Sequence, residues 1–295
     1  REVVMKTVPE CMSCFLRQAV NVARKADATD EQMDLILRDT MLHLEESDWS
    51  LPPPQLAVEI YRNVRRTTGT DDPYVADKHK ANTLALDLLD ELRARVEGAD
   101  DPFSAAVRLS MAGNVIDVVA FDDIDRDLVM AGVDRALSEP PAVDHIDALR
   151  TALLEGDGPV LLVTDNAGEI CFDRVLLEQI LTLGVDAERI TAMVRGGPAI
   201  NDALFADAAV AGIDQLVHVT DTGLDAPGLL LELAGPVAVE TYLTAETVIS
   251  KGLGNFESLP TDDPRVFFLL RLKCEPVCLH LGLPRGSQVV LRGSA

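Results

Sequence analysis

The stretch that decides the fold is Gly158-Pro-Val-Leu-Leu-Val-Thr-Asp165-Asn166-Ala-Gly-Glu-Ile170. Its apolar run ends abruptly at an acid and an amide, and a small turn then leads into a helical pattern. This order is typical of a buried parallel strand that carries polar groups at its carboxyl end, where open α/β sheets hold their binding sites. Asp165 and Asn166 offer hard oxygen ligands, which suit Mg²⁺, Mn²⁺ or a similar ion better than a dinucleotide. The alternative is that Asp165 only caps the helix that follows.

The same alternation of short apolar runs and helical patterns continues to the end of the chain. Gly, Pro and Asp flank the runs, and Ala- and Leu-rich helical patterns separate them. Strand and helix in alternation predict βαβ units and a mostly parallel sheet. The predicted strands are 159–164, 189–194, 215–219, 236–240, 247–250, 265–272 and 287–291.

The first 150 residues carry a helical pattern instead. Apolar residues recur at i, i+3 and i+4 spacing from Pro9 onward, and no stretch alternates convincingly between apolar and polar residues. Residues 138–158, with two prolines and two glycines, are typical of a junction. We therefore expect an all-helical domain at 1–150 that lines a cleft, followed by an α/β domain at 151–295 that binds metal and phosphate.

Composition narrows the range of partners. The chain has 295 residues, 47% of them hydrophobic, and a net charge of −23 with pI ≈ 4.4. Such a negative field repels nucleic acid and anionic membranes, so we expect neither as a partner. It also favours a bound cation, because an anionic metabolite would otherwise be repelled. With neither a signal-peptide pattern nor an apolar run long enough to span a membrane, the expected location is the cytoplasm.

The cysteines leave two possibilities open. Five thiols, an odd number, do not suggest a secreted disulfide framework. Cys11 and Cys14 form a C-x-x-C, and Cys274 and Cys278 are four residues apart. Together they could bind zinc or another metal, or act as a redox pair, if the two ends of the chain meet. The simpler alternative is a set of small buried thiols.

A second polar loop follows the next predicted strand, in the sequence MVRGGPAINDA at 193–203. Arg195 and free backbone N–H groups at Gly196 and its neighbouring glycine could bind a phosphate. Asp202 comes about forty residues after Asp165, the length of one β-α-β-loop unit, which predicts that the two acids lie over neighbouring strand ends. With Asn166 they form a plausible half-shell for a divalent ion. The alternative is a Pro-Gly turn followed by an Asx cap.

Two further segments offer weaker candidates. Lys251 follows an apolar strand pattern in a chain with few lysines, which suggests that it neutralises a phosphate, although a charged turn would look the same. In the helical half, Gly113-Asn114 interrupts a helical pattern and costs stability unless packing or function requires it. Asn114 then either faces the cleft, or Gly113 marks a tight helix crossing.

In combination these segments resemble the domain-of-unknown-function-89 family of metal-dependent damage-control phosphatases, in its compact microbial branch. The similar stretches are TDNAGE at 164–169, RGGPAINDA at 195–203, KGLGNFE at 251–257, PECMSCFLRQ at 9–18, AGNVID at 112–117 and KCEPV at 273–277. They occur in the family's order and span nearly the whole chain.

The resemblance implies a Rossmann-like three-layer α/β/α domain joined to a helical N-terminal domain, with a divalent ion in the cleft between them. It implies Asp165, Asn166 and Asp202 as the metal ligands and Lys251 as a phosphate contact. The remaining substrate contacts that it implies are Asn114, Arg195 and Asn255. Gly196 is a predicted substrate contact from the loop pattern alone.

The sequence is therefore interpreted as a metal-dependent phosphatase that hydrolyses small phosphorylated metabolites. Mg²⁺, Mn²⁺, Co²⁺ and Ni²⁺ all remain possible, as do ligand, base and nucleophile roles for Asp165, and the oligomeric state is left open. A methyltransferase using S-adenosylmethionine is an alternative, although the first strand lacks a glycine-rich cofactor loop. A third hypothesis is a metal- or metabolite-binding protein without catalytic activity.

Overall fold

A computed structural model describes residues 4–113 and 126–294, and these residues form twelve α-helices and one seven-stranded sheet. The helices are α1 (Pro9–Lys25), α2 (Asp30–Glu46), α3 (Pro53–Thr68), α4 (Val75–Glu97), α5 (Pro102–Ala112), α6 (Arg126–Ser138), α7 (Ile146–Glu155), α8 (Glu169–Thr182), α9 (Phe205–Ala211), α10 (Pro236–Thr244), α11 (Gly252–Ser258) and α12 (Glu275–Leu281). The strands are β1 (Val143–Asp144), β2 (Val160–Val163), β3 (Ile190–Val194), β4 (His218–Asp221), β5 (Thr247–Lys251), β6 (Val266–Arg271) and β7 (Gln288–Arg292). Among the described helices, none is long and apolar enough to cross a bilayer.

The order of the strands creates a crevice beside β2. Along the sheet the order is β1-β7-β6-β5-β2-β3-β4, and only β6 and β7 pair antiparallel. From β2 the chain moves outward through β3 and β4, and then returns to β5 on the other side of β2. Such a reversal forms a crevice at the carboxyl ends of the strands, where open α/β sheets bind their ligands. The predicted mostly parallel sheet is confirmed.

Both faces of the sheet are covered. Alternate residues of β2 point to opposite sides, and Leu162 packs in a core with α4 to α9, whereas Leu161 packs in a core with α10 to α12. This is the predicted three-layer α/β/α arrangement. Helices α1 to α3 form a separate small core. Because α4 to α6 share one core with α7 to α9 and the sheet, and α5 packs against β6, this continuous core crosses the predicted division at residue 150, and that division stays a prediction.

Most predicted strands are confirmed, and the exceptions have clear causes. Five of them match β2, β3, β5, β6 and β7 to within one residue at each end, and β4 begins three residues later than predicted. The predicted strand at 236–240 is wrong because this segment begins α10, where Pro236 occupies the first turn and presets a helical φ. Ala238 and Tyr242, four residues apart, are the side chains that α10 buries, a helical spacing that five residues cannot reveal. The two-residue β1 is too short to leave a pattern.

Gly113 lies at a tight helix crossing, which confirms one of the two interpretations of its segment. It follows the last residue of α5, where this helix crosses the start of α8. A Cβ atom at Gly113 would lie 3.0 Å from both Glu169 Cγ and Phe172 Cγ, closer than side chains normally pack. The competing interpretation concerned Asn114, which lies outside the described residues.

The two ends of the chain do meet, because α1 packs against α12. All five cysteines are free thiols, and Cys274 Sγ lies 3.9 Å from Glu257 Oε1. Burial raises the pKa of the Cys274 thiol to about 12 and also raises the pKa of Cys11. Within residues 4–113 and 126–294, no three His, Cys, Asp or Glu side chains are placed to hold a metal ion. The described structure thus favours buried thiols over a cysteine metal site.

Candidate active site

The loops that follow β2 and β3 lie side by side and bring three oxygen-bearing side chains together. Asp165 and Asn166 follow β2, and Asp202 lies in the loop after the neighbouring strand β3. Asn166 and Asp202 form an isolated antiparallel bridge, and the Ala203 N–H donates to the Asp165 carbonyl oxygen at 2.8 Å. The predicted convergence of these two loops is therefore confirmed, and it is fixed by main-chain hydrogen bonds.

Asp165 lies at the centre of this arrangement, with only 9% of its surface exposed. Burial raises the pKa of its carboxyl well above the usual range, and the negative charges of Glu169 and Asp202 raise it further. Arg195 and Lys251 oppose this shift without cancelling it. Three acidic groups and two cations therefore share this buried region.

The amide of Asn166 is oriented by two carboxylates. Its Nδ2 donates to Asp165 Oδ2 at 2.9 Å and to Glu169 Oε2 at 3.2 Å. This leaves the amide oxygen as the group that can coordinate a cation. Glu169, which is 1% exposed, was not among the predicted site residues. Its position four residues after Asp165, in the first turn of α8, was the available signal, but it also suits an ordinary helix-dipole acid.

Arg195 places unused donors at the site. Its side chain is 1% exposed, and Nε donates to Asp202 Oδ2 at 2.6 Å. Nη2 lies 3.9 Å from Asp165 Oδ1, yet neither Nη1 nor Nη2 makes a hydrogen bond to any described residue. Buried donors without partners are uncommon, and they indicate a position where water or a ligand group completes the structure. The planar fork of a guanidinium matches the oxygens of a phosphate.

Lys251 lies beneath the site and is fully occupied there. Its ammonium donates to Asp173 Oδ1 at 2.5 Å, to Glu169 Oε1 at 2.8 Å and to the Ser110 carbonyl at 3.2 Å. Burial alone would lower the pKa of Lys251, but the ion pairs with Asp173 and Glu169 outweigh it and raise the pKa. Burial raises the pKa of Asp173 to about 6 despite the nearby ammonium. All three ammonium hydrogens are engaged, so this geometry does not support the predicted phosphate contact.

Two other predicted substrate contacts also have their polar groups occupied. The Gly196 N–H, predicted to be free, donates to the Leu224 carbonyl at 3.0 Å and to Thr222 Oγ1 at 3.1 Å. Asn255 is completely buried and joins main-chain segments by hydrogen bonds. Its Nδ2 donates to the carbonyls of Thr164 and Lys251, and its Oδ1 accepts the Leu229 N–H. The sequence could not reveal this, because partners up to 91 residues away take up these groups.

Gly252, at the start of α11, makes room for the Asp165 carboxylate. Its φ of +79° is in the left-handed region that favours glycine. A Cβ atom there would overlap the Asp165 carboxylate, well inside van der Waals contact. Sequence analysis did not select Gly252, although a glycine directly after a strand that borders the crevice was the available signal.

The donor set fits a hard divalent cation. Two carboxylates, of Asp165 and Asp202, and one amide oxygen, of Asn166, are oxygen ligands of the kind that Mg²⁺ and Mn²⁺ prefer. The close approach of the Asp165 carboxylate to Gly252, beside Asp202 and Glu169, keeps these acidic groups together and agrees with this. Two carboxylates are fewer than many metal sites contain, so water and substrate oxygens would complete the coordination.

Comparison with known proteins identifies the family of this chain. The Damage-control phosphatase ARMT1-like domain matches residues 7–289. The chain belongs to this family. A damage-control phosphatase of Archaeoglobus fulgidus is 31% identical over 289 residues, which cover 97% of this chain and 98% of the relative. A damage-control phosphatase of Pyrococcus horikoshii is 31% identical over 294 residues, 98% of each chain.

Other matches agree with membership of the damage-control phosphatase family. An uncharacterized protein of Methanocaldococcus jannaschii is 32% identical over 98% of this chain and 96% of its own length. The crystal structure of a domain-of-unknown-function-89 protein from P. horikoshii superposes with a TM-score of 0.89 at 29% identity, covering 98% of this chain and all of that one. The resemblance inferred from sequence motifs is therefore confirmed, and the methyltransferase alternative is not favoured.

If Lys251 is chiefly a buried counter-charge, Lys251→Met will destabilise the protein even without ligands. Its removal leaves Asp173 and Glu169 buried without their ammonium, which typically costs about 3–5 kcal/mol in free energy of unfolding. Urea unfolding of the ligand-free protein measures this cost, with exposed Lys80→Met as the control. Wild-type stability of Lys251→Met, with lost phosphatase activity, would instead support a phosphate contact.

Gly252→Ala is expected to lower phosphate release from p-nitrophenyl phosphate by about 10²-fold or more, because displaced catalytic groups cost rates of that order. The added methyl group would push the Asp165 carboxylate from its place. Gly282→Ala is the matched control: its φ is +66°, and a Cβ atom there would contact nothing within 4 Å. Both variants carry similar backbone strain, so an equal loss of activity in the two would contradict a specific contact with Asp165.

Proposed function

We propose that this protein is a divalent-metal-dependent phosphatase that hydrolyses phosphate esters of small metabolites. The observation that carries the proposal is the convergence of Asp165, Asn166 and Asp202 beside the unpartnered guanidinium edge of Arg195. A cation site next to a fork of free N–H donors suits a group that carries several negatively charged oxygens. The names of the relatives from A. fulgidus and P. horikoshii support the same reaction class.

In this proposal each residue has a separate task. Asp165, Asn166 and Asp202 would hold the cation, which supplies charge neutralisation and a more acidic bound water when present. Arg195 would bind phosphoryl oxygens through Nη1 and Nη2 while Nε keeps Asp202 in place. Lys251 would hold Glu169 in position from below.

Hydrolysis then proceeds by an in-line displacement at phosphorus. A bond forms from the water oxygen to phosphorus as the bond from phosphorus to the ester oxygen breaks. The water gives up one proton and the ester oxygen takes up one, so that the products are an alcohol and inorganic phosphate. The Nη1 and Nη2 donors of Arg195 stabilise charge on the transferring phosphoryl group, because they are already oriented and lie away from bulk water.

The charge of the chain restricts the substrate further. A net charge of −23 makes nucleic acids and anionic membranes poor partners, so we propose a small diffusible phosphate ester. A cytoplasmic location, expected from the sequence, stays a prediction. A protein that binds metal tightly but releases no phosphate from any ester would favour the alternative of a non-catalytic binding protein.

Asp165→Asn and Asp202→Asn are expected to lower metal-stimulated phosphate release by about 10²–10³-fold. Asp165→Asn should leave the melting temperature near that of the wild type, whereas Asp202→Asn should also lower it, because it removes the carboxylate that pairs with the buried Arg195. Each change removes a charged oxygen ligand, and losing a group that stabilises transition-state charge typically costs about 10²–10³-fold on its own. Phosphate release is measured over a panel of sugar, nucleotide and cofactor phosphates, each with Mg²⁺, Mn²⁺, Co²⁺ or Ni²⁺. Asp214→Asn, on the exposed surface, is the control. Full activity of either site variant, or of the wild type in EDTA, would contradict the proposal.

A further inference from the structure

Asn82, in α4, binds the loop after β2 directly and is linked to the loop after β3 through Asp207. Its side chain is 4% exposed. Oδ1 accepts the Gly168 N–H at 2.7 Å, within the loop after β2. Nδ2 donates to Asp207 Oδ1 at 2.7 Å, in the first turn of α9 after the β3 loop. One amide group therefore joins two loops that are separated by about one βαβ unit of sequence.

Asp207 is the second residue in this series of hydrogen bonds. Its Oδ2 accepts the Leu204 N–H at 2.8 Å, two residues after Asp202. A continuous series of hydrogen bonds thus runs from the Gly168 N–H through Asn82 and Asp207 to the Leu204 N–H. Asn82 and Asp207 are buried, so little water competes for these groups, and each lost bond would leave a polar atom unsatisfied.

We infer that Asn82 is a positioning residue that sets the spacing between the two ligand-bearing loops and thereby the affinity for the cation. The inference rests on the proposed metal site for its consequence, but the hydrogen-bonded link stands on its own geometry. Position 82 must accept from an N–H and donate to a carboxylate at the same time, and the asparagine amide does both through its oxygen and its nitrogen. Groups that orient metal ligands indirectly typically change metal affinity by about 10–100-fold when removed.

The polarity of the link can be reversed without losing a hydrogen bond. In Asn82→Asp alone, a carboxylate oxygen replaces the N–H donor that binds Asp207. The two carboxylates then repel each other, and the link breaks. In the double variant Asn82→Asp/Asp207→Asn, the residue at 82 still accepts the Gly168 N–H and now also accepts from the new amide at 207. The amide oxygen at 207 then accepts the Leu204 N–H, and the total charge of the pair is unchanged.

The first measurement is calorimetric titration of the metal-free full chain with Mn²⁺. We expect Asn82→Asp to weaken Mn²⁺ binding by about 10–100-fold. The double variant should recover most of this affinity, because it restores every hydrogen bond of the link. Asn21→Asp, the same chemical change on the half-buried surface of α1, is the matched control. Wild-type affinity in Asn82→Asp, or no recovery in the double variant, would overturn the inference.

The second measurement does not depend on metal. Amide hydrogen exchange in the ligand-free protein should become faster in Asn82→Asp at residues 165–171 and 201–207, stay unchanged in β6 and β7, and return towards wild type in the double variant. Unchanged exchange in both loops, or a uniform increase over the whole chain, would overturn the role of Asn82. If the wild type binds no Mn²⁺, the proposed metal dependence fails, while the exchange result still decides whether Asn82 joins the loops.

Discussion

The structure depends on one electrostatic constraint: more negative than positive charge is buried at the carboxyl ends of β2, β3 and β5. Two cations face four carboxylates in this region, and the six side chains are Arg195, Lys251, Asp165, Glu169, Asp173 and Asp202. Burying charges costs several kcal/mol for each ion unless a partner compensates, by order of magnitude. Burial is the main cause of the raised pKa values of Asp165 and Asp173, and repulsion from Glu169, as part of this imbalance, raises both further. A divalent cation is the ligand whose charge would correct it.

The fold meets this constraint by giving the two buried cations different tasks. Lys251 uses all three N–H donors to bind two carboxylates and a carbonyl, and it thereby stabilises the buried side of the site. Arg195 binds Asp202 through Nε only, and its Nη1 and Nη2 atoms remain available to another group. The helical layer completes the arrangement, because Asn82 holds the loop after β2, and Arg65 donates to the Pro198 carbonyl in the loop after β3. Residues far apart in sequence therefore help to hold the loops that carry Asp165, Asn166 and Asp202.

Sequence patterns predicted which side chains follow the strands, but not the contacts they make with residues far away in sequence. Asp165 and Asp202 could be placed together, because each follows a recognisable strand and neighbouring parallel strands end at the same edge. The roles of Lys251 and Asn255 could not, since a lysine after a strand looks the same whether its ammonium meets a phosphate or two buried acids. No local pattern showed the role of Asn82 either, because its partners are 86 and 125 residues away. Local patterns predicted which polar groups reach the crevice, and tertiary contacts decided which of them stay available.

The central claim is that one cation lies between Asp165, Asn166 and Asp202, and anomalous diffraction tests it most directly. Crystals of the full chain grown with Mn²⁺ would be measured at wavelengths on either side of the manganese absorption edge. The account predicts one strong anomalous peak at roughly 2.0–2.4 Å from oxygens of these three side chains, the distance usual for hard cations. A manganese peak only at another position, or no peak at all with millimolar Mn²⁺, would contradict it.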